Sequence, residues 1–284
     1  MEHILNGAPV AQALQAQTAE MVGCLKEKGI SPRLALVRIG EQPASVSYER
    51  GIRKGCETAG IEVGLTALPE TVSQAEAEEA LRRLSEDPAV HGILLFEPLP
   101  RSLNDAALRN AIAPEKDMDC AADLSMAGVY SGKALGFPPA TPQAVMELLH
   151  YYKIPLEGKN ATVIGRSLVV GKPLAMLLLS ENATVTVCHS KTADLAAHTR
   201  AADIVIAAMG RQEALKGEML GEGQVVIDVG IHRSEDGRLC GDVAFEEAEK
   251  KAAAITPVPG GVGRITTAVL LRHVALAAQK AAGN

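Results

Sequence analysis

Apolar segments alternate with amphipathic segments along most of the chain. The apolar segments predict β-strands at 34–39, 62–67, 90–96, 161–165, 184–188, 203–208, 225–229 and 254–257. The amphipathic segments have helical periodicity and predict α-helices at 43–59, 73–86, 142–151, 172–180, 193–200, 245–252 and 266–282. Several strands are apolar throughout, which is typical of a sheet that is covered on both faces. Because strands and helices alternate, we expect an α/β fold with parallel sheets.

One stretch, 124–142, interrupts this alternation and is rich in glycine and proline. Such residues favour turns over regular structure, so we predict that the chain passes here from one domain to the next. A chain of 284 residues is long enough for two domains. We expect a first domain at 1–140 and a second at 141–265, with the C-terminal helix, 266–284, packing back on the first.

The overall charge argues against several kinds of partner. The chain has 28 basic and 34 acidic residues, a net charge of −6, whereas proteins that bind nucleic acid usually present a basic face. Aromatic residues, on which bases stack, are scarce. No apolar run is long enough to cross a bilayer. We therefore expect neither a nucleic acid nor a membrane as a partner.

The five cysteines are widely spaced, odd in number and without a Cys-x-x-Cys pair. This pattern is typical of a reducing compartment, and it predicts neither a disulfide framework nor a metal site. The first residues lack the basic start and long apolar stretch of a secretory signal. We therefore expect a cytoplasmic protein that holds no metal.

A glycine-containing turn follows the predicted strand 161–165. It runs from Gly165 to Gly171, and Pro173 then suits the first turn of the next helix, where its missing N–H costs nothing. A strand that leads through such a turn to a helix N-terminus is the arrangement that receives the pyrophosphate of a dinucleotide. The usual Gly-x-Gly-x-x-Gly spacing is absent, so plain packing of strand against helix stays open as the alternative.

The residues after the next strand bear on the choice between NAD and NADP. Proteins that select NAD usually place an acid near the end of this strand to bind the ribose hydroxyls, and none is present at 189–192. Ser190, Lys191 and Arg166 instead offer a hydroxyl and two cations, groups that bind a 2′-phosphate. We therefore favour NADP over NAD. Ser190 or Thr192 also suits the N-cap of the following helix, and the two roles are compatible.

A series of short motifs, in order along the chain, carries a family resemblance. The motifs are Gly40-Glu-Gln-Pro-Ala-Ser45 with Tyr48, Gly92-Ile-Leu-Leu95 with Pro98-Leu-Pro100, Pro114-Glu-Lys-Asp-Met-Asp119, Thr141-Pro142, Gly165-Arg-Ser167 with Val170-Gly171, Cys188-His-Ser-Lys-Thr192, Val226-Ile-Asp-Val-Gly-Ile231 and Thr256-Pro-Val-Pro-Gly-Gly-Val-Gly263. On these residues the chain resembles the methylenetetrahydrofolate dehydrogenase/cyclohydrolase family over almost its full length. The resemblance implies two α/β domains with a cleft between them, the second a Rossmann-like parallel-sheet domain that binds the dinucleotide. It also implies a homodimer.

The resemblance implies roles for individual residues as well. The residues that would contact the folate substrate are Tyr48, Phe96, Asp119, Pro259, Gly260 and Gly261. Of these, Tyr48 and Asp119 would be catalytic, with the tyrosine against the folate ring system and the carboxylate on the amino-pyrimidine edge of the pterin. The residues that would contact NADP are Gly165, Arg166, Ser167, Ser190 and Ile231.

Six positions depart from the family's pattern, among them Glu97 in place of a leucine and Ile265 in place of a methionine. Family members with both activities carry a lysine four residues after the tyrosine and a glutamine in a Gly-Ile-Leu-Val-Gln-Leu-Pro segment. Here Ile52 and Phe96 stand at these two positions. Cys120 replaces a glycine, and Arg264 replaces a proline. Arg264 either contacts the glutamate tail of the folate or faces the solvent.

The missing lysine should affect the family's two reactions differently. Hydride transfer from 5,10-methylenetetrahydrofolate mainly requires that two rings are aligned, whereas hydrolysis of the 5,10-methenyl product requires a placed acid or base. We therefore predict an NADP-dependent methylenetetrahydrofolate dehydrogenase with weak or absent cyclohydrolase activity. One alternative is a bifunctional enzyme in which Glu97, Asp123 or Tyr48 supplies the acid or base. Another is a catalytically silent folate- or nucleotide-binding subunit.

Overall fold

The computed structural model describes residues 2–234 and 236–283, and the chain divides into two compact units. The three-stranded unit comprises Gln12–Ala140 and Thr267–Asn284, and the five-stranded unit comprises Met1–Ala11 and Thr141–Thr266. Our predicted first domain included residues 1–11, which instead group with the five-stranded unit. The reason is a pairing between residues distant in sequence, since the backbone N–H of Leu5 donates to the carbonyl of Ile255 at 2.8 Å.

The three-stranded unit consists of parallel strands with helices packed on both faces. The strands are β1 (Arg33–Ile39), β2 (Glu62–Leu68) and β3 (Gly92–Leu95), in the order β2-β1-β3. The helices are the larger part of α1 (Gly7–Glu27), with α2 (Pro43–Ala59), α3 (Gln74–Glu86), α4 (Asp105–Asn110), α5 (Asp123–Ser131) and α10 (Thr266–Ala281). Alternate residues of a strand face opposite sides of the sheet. Leu34 and Leu36 accordingly pack in the cluster with α2 and α10, and Val37 packs in the cluster with α3 and α4.

The five-stranded unit contains a second parallel sheet. Its strands are β4 (Asn160–Ile164), β5 (Thr184–Cys188), β6 (Ile204–Ala207), β7 (Val225–Asp228) and β10 (Ala254–Ile255), in the order β10-β7-β6-β4-β5. Its helices are α6 (Ala140–Tyr151), α7 (Gly171–Ser180), α8 (Leu195–Arg200) and α9 (Phe245–Ala248). A short antiparallel hairpin, β8 (His232–Arg233) and β9 (Leu239–Cys240), follows β7. The chain goes from β4 to one neighbour, β5, and then to the neighbour on the other side, β6, which makes the carboxyl end of β4 a topological switch point.

The predicted α/β fold with parallel sheets is confirmed, and the differences are local. The predicted connection at 124–142 contains helix α5, which ends where Gly132 adopts the left-handed conformation at φ 68°. The sequence pattern did not predict α1 or the β8–β9 hairpin. Helix α8 is capped by Asp194, whose carboxylate accepts from the N–H of Ala197, and not by Ser190 or Thr192. No helix within the two described ranges is long and apolar enough to cross a membrane.

Candidate functional site

The turn after β4 depends on two glycines in close contact. Gly165 has φ 141°, and a Cβ there would lie 2.2 Å from the carbonyl oxygen of Ala208. A Cβ on Gly171, the first residue of α7, would lie 2.1 Å from the carbonyl oxygen of Gly165. Only glycine lets the backbone make these approaches. The turn therefore places Arg166 and Ser167, both exposed, beside the N-terminus of α7.

A second turn, at the end of β5, lies beside the first. The N–H of Gly165 donates to the carbonyl of Cys188 at 2.9 Å, which joins the two turns at neighbouring strand ends. The second turn is closed by the Thr192 hydroxyl, which accepts from the N–H of His189 at 2.8 Å. Ser190 is exposed in this turn. The structure therefore places the predicted cofactor residues Arg166, Ser167 and Ser190 at the carboxyl ends of β4 and β5.

A pocket of about 280 Å³ opens in the same unit. It is lined by residues 228–231, 239 and 257–264. The pocket thus brings the predicted cofactor residue Ile231, which is 60% exposed, together with Pro259, Gly260 and Gly261. Gly261 is tightly enclosed, since a Cβ there would lie 2.7 Å from the carbonyl oxygen of Pro257. Arg264 also lines this pocket, so its surroundings are those of the predicted binding residues.

Two buried carboxylates, which the sequence analysis missed, hold one wall of this pocket. Asp228 accepts from the backbone N–H groups of Gly230, Asp242 and Val243 at 2.9 to 3.0 Å. Asp242 lies 2.7 Å from His232 Nε2 and accepts from the N–H of Arg211 at 2.8 Å. Burial raises the pKa of Asp228 to about 6, although the backbone donors lower it. The sequence did contain a signal for Asp228, because it is an acid at the end of an otherwise apolar strand. A carboxylate buried there needs several hydrogen-bond donors around it.

Three of the predicted folate residues lie in the three-stranded unit. Tyr48 is on α2, Phe96 directly follows β3, and Asp119 follows the segment that pairs with β3 through Asp117. The rings of Tyr48 and Phe96 meet edge to face, with their centroids 6.0 Å apart. The charge of Asp119 acts on the Tyr48 hydroxyl. Tyr48, Phe96 and Asp119 are therefore neighbours in the three-stranded unit, whereas Pro259, Gly260 and Gly261 belong to the other unit.

The pKa values of Asp119 and Tyr48 are both raised, which favours the neutral form of each side chain. Burial is the main cause that raises the pKa of Asp119 to about 6, and the charges of Asp117 and Glu97 add to it. The N–H of Ala140, which donates to Asp119 at 2.9 Å, acts in the opposite direction. Burial and the charge of Asp119 raise the pKa of the Tyr48 hydroxyl to about 12. At neutral pH, Asp119 is ionised and Tyr48 carries its proton.

The position that carries a lysine in bifunctional family members is closed to solvent in this chain. Ile52 is fully buried, with 0% exposure, in the cluster that also contains Phe96 and Met118. Tyr48, one helical turn earlier, is 42% exposed. Lys54 is exposed on α2. The structure therefore places no acid or base at position 52 or position 96.

The proposed replacement acids have partners of their own. Glu97 Oε1 accepts from Arg109 Nε at 2.7 Å. Asp123 Oδ2 accepts from Asn110 Nδ2 at 2.9 Å. Cys120, at the family's glycine position, adopts the left-handed conformation at φ 58°, which favours glycine. Among the residues that the structure describes, no group of three or more histidine, cysteine or acidic side chains is arranged to hold a metal ion.

Comparison with known proteins identifies both halves of the chain. Residues 5–119 match the family model "Tetrahydrofolate dehydrogenase/cyclohydrolase, catalytic domain", and residues 139–282 match "Tetrahydrofolate dehydrogenase/cyclohydrolase, NAD(P)-binding domain". A protein of Alkaliphilus oremlandii (strain OhILAs), named "Bifunctional protein FolD", is 47% identical over 274 residues, which is 96% of each chain.

Solved structures give the same result. The bifunctional FolD methylenetetrahydrofolate dehydrogenase/cyclohydrolase of Campylobacter jejuni is 42% identical, covers 98% of each chain and has a TM-score of 0.95. The Trypanosoma brucei methylenetetrahydrofolate dehydrogenase-cyclohydrolase, solved with NADP and an inhibitor, is 37% identical over 100% of each chain, with a TM-score of 0.91. The resemblance seen in the motifs is confirmed: the chain belongs to the tetrahydrofolate dehydrogenase/cyclohydrolase family.

Proposed function

We propose that this protein oxidises 5,10-methylenetetrahydrofolate to 5,10-methenyltetrahydrofolate by hydride transfer to NADP. The observation that carries the proposal is the paired turns after β4 and β5, which lie within the segment that matches the NAD(P)-binding domain. A silent binding subunit would not need to keep the close glycine contacts of the first turn together with the pocket at residues 257–264.

The residues of the two turns fit a phosphorylated dinucleotide. The N-terminus of α7 presents backbone N–H groups to an anion, and Arg166 and Ser190 are exposed beside it. The T. brucei relative was solved with NADP, which supports the same choice here. When bound, NADP supplies the hydride acceptor. Ile231 and Gly260, which share the pocket of 280 Å³, would shape the space for the nicotinamide.

We propose that the three-stranded unit binds the folate. The ionised carboxylate of Asp119 accepts from the amino-pyrimidine N–H donors of the pterin, and Tyr48 and Phe96 pack against its rings. The one-carbon bridge loses a hydride, and the adjoining folate nitrogens stabilise the cation that forms. No proton leaves the bridge carbon, so Ile52 and Phe96 do not obstruct this step.

Two observations point in opposite directions on the second activity. The relatives from A. oremlandii and C. jejuni are named bifunctional, which supports cyclohydrolase activity here better than its loss. The burial of Ile52 supports loss of the family's usual proton-transfer group. We propose that any hydrolysis by this chain uses groups outside positions 52 and 96. Tyr48 and Asp119 are the candidates, since Glu97 and Asp123 are already paired.

A paired assay on one purified sample tests the proposed function. It follows NADPH formation from 5,10-methylenetetrahydrofolate and, separately, decay of 5,10-methenyltetrahydrofolate above the rate without enzyme. NADPH formation supports the dehydrogenase, and its absence overturns the proposal. Accelerated decay supports the bifunctional alternative, and its loss at saturating folate in Asp119→Asn or Tyr48→Phe would assign the proton transfer to that residue. Unaccelerated decay supports a dehydrogenase without the second activity.

The choice of NADP has its own test. Ser190→Asp places a negative charge where the 2′-phosphate would lie, so it should raise the KM for NADP at least tenfold and leave the KM for NAD nearly unchanged. Ser180→Asp, at the far end of α7, adds the same charge to another exposed serine and serves as the control. An equal effect of both variants would contradict the assignment of Ser190.

We also propose that the protein is a homodimer. The β5 edge of the five-stranded sheet supports this, because no strand follows it in the sheet order of the described residues. Val187 on β5 is 39% exposed, as is typical of an edge that another chain covers. At the opposite edge, Ile4 bridges to Ile255 of β10. The mass measured by light scattering after gel filtration distinguishes a dimer from a monomer.

A further inference from the structure

A buried histidine contacts the segment that carries Asp119. His273 lies on α10, is 4% exposed and takes no part in the function proposed above. Its ring stacks on Phe137, with centroids 4.8 Å apart and planes at 27°. The ammonium of Lys280 lies 4.8 Å from the centre of the Phe137 ring. The imidazole therefore packs face to face on the Phe137 ring.

The hydrogen bond of His273 determines which ring nitrogen carries the proton. Nδ1 lies 3.2 Å from the carbonyl oxygen of Met118. A carbonyl oxygen only accepts, so Nδ1 is the donor. Burial lowers the pKa of His273 to about 4; the hydrogen bond to Met118 opposes this shift, and the charges of Arg272 and Lys280 add to it. The imidazole is neutral at physiological pH, with its proton on Nδ1.

Met118 is held from both sides, and it precedes Asp119 directly. Its N–H donates to the carbonyl of Ile93, on β3, at 3.3 Å. Its side chain packs over Gly92 so closely that a Cβ there would lie 2.8 Å from Cγ and Sδ of Met118. The carbonyl that His273 binds shares a rigid peptide plane with the N–H of Asp119. Orientation of this plane, together with φ of Asp119, sets the direction in which the Asp119 side chain leaves the backbone.

We propose that His273 is a positioning residue for Asp119, fixing the Met118–Asp119 peptide so that the carboxylate is aligned with the pterin. This inference rests on the proposed function, since it assumes that Asp119 binds the folate. His273 touches neither substrate nor cofactor in this account. Its effect should therefore fall on folate binding and leave NADP binding unchanged.

Two amide side chains provide a matched test, because they differ in where the donor lies. The amide nitrogen of asparagine occupies nearly the position of Nδ1, whereas that of glutamine approximates Nε2. His273→Asn should keep the KM for 5,10-methylenetetrahydrofolate within about threefold of the original. His273→Gln should raise this KM about tenfold, with little change in kcat or in the KM for NADP.

Three controls make the outcome decisive. Tetrahydrofolate binding by calorimetry should weaken in parallel with the KM, which gives a readout without turnover. Phe137→Leu removes the stacking partner but keeps the donor, so it tests for general damage to the core. The ¹⁵N chemical shifts of His273 should show a protonated Nδ1 at neutral pH.

The proposal is overturned if the asparagine and glutamine variants bind folate equally well, if Phe137→Leu weakens folate binding as much as His273→Gln, or if Nε2 carries the proton. Asp119→Asn separates this failure from failure of the proposed function. Unchanged folate binding in Asp119→Asn would remove the assumed role of Asp119. Weakened binding in Asp119→Asn, with equal binding in the two His273 variants, would reject only the role of His273.

Discussion

At the residue scale, the decisive position is Ile52. The spacing of four residues predicts that it shares a helix face with Tyr48, but the structure shows that one side chain is partly exposed and the other is fully buried. Helical periodicity predicts the direction in which a side chain points but not how deeply it is buried. Burial depends on residues distant in sequence, such as Leu270 and Val274. The resemblance identified the substitution, and the structure shows its environment.

Ile52→Lys should strongly destabilise the fold. A lysine at this fully buried position must either lose its charge or be buried without a partner, so we expect the free energy of unfolding to fall by about 4 kcal/mol. Ile52→Leu, which conserves volume and polarity, should cost less than about 1.5 kcal/mol. Urea denaturation measures both. Equal stabilities of the two variants would show that position 52 is open to water.

The pH dependence of folate binding should follow Asp119. Its pKa of about 6 lies above the ordinary value, so the carboxylate is ionised above pH 6 and gains a proton as the pH falls. The KM for the folate should therefore rise below about pH 6. The Asp119→Asn variant should have a high KM that no longer changes in this range. If the KM of Asp119→Asn still rose below about pH 6, a group other than Asp119 would cause the rise. Asp228, whose pKa is also about 6, is one such group.

Cys120 stores backbone strain that a glycine would relieve. Its φ of 58° is unfavourable for a residue with a Cβ. Cys120→Gly and Cys120→Ala both remove the buried thiol, but only glycine relaxes the backbone. We expect the glycine variant to be more stable than the alanine variant by about 1 kcal/mol. Thermal unfolding compares the two, and a more stable alanine variant would contradict the assigned strain.

At the scale of elements, the strands were predictable and the caps and hairpin were not. β5 (Thr184–Cys188) and α2 (Pro43–Ala59) have the predicted bounds, because apolar runs and a proline at the helix start are local signals. The cap of α8 is Asp194 because its carboxylate reaches Ala197, and composition alone did not distinguish it from the nearby hydroxyls. The two-residue strands of the β8–β9 hairpin are too short to show a periodicity.

The turn after β4 should tolerate no side chain at Gly171. In Gly171→Ala the Cβ would meet the carbonyl of Gly165 at 2.1 Å, so the turn must shift and NADP binding should weaken more than tenfold. Gly23→Ala, in α1, is the matched control, since a Cβ there meets nothing within 4 Å and alanine favours the helix. Fluorescence titration with NADPH measures binding by both. Normal NADPH binding by Gly171→Ala would remove the turn from the site.

At the scale of the whole molecule, each unit is built from two segments that are far apart in sequence. Residues 1–11 complete the five-stranded unit through the pairing of Leu5 with Ile255, and α10 completes the core of the three-stranded unit. Such contacts join positions separated by most of the chain, so local patterns cannot indicate them. The candidate site was found largely through the motifs, whereas the hydrogen-bonding roles of Asp228 and Asp242 became visible only in the structure.

The proposed activity of the protein is hydride transfer from methylenetetrahydrofolate to NADP. The most direct test mixes purified protein with 5,10-methylenetetrahydrofolate and NADP and follows the absorbance of NADPH. We predict NADPH formation that depends on both substrates and falls sharply in Asp119→Asn and in Gly171→Ala. A folded protein that binds both ligands but forms no NADPH would contradict the proposed activity.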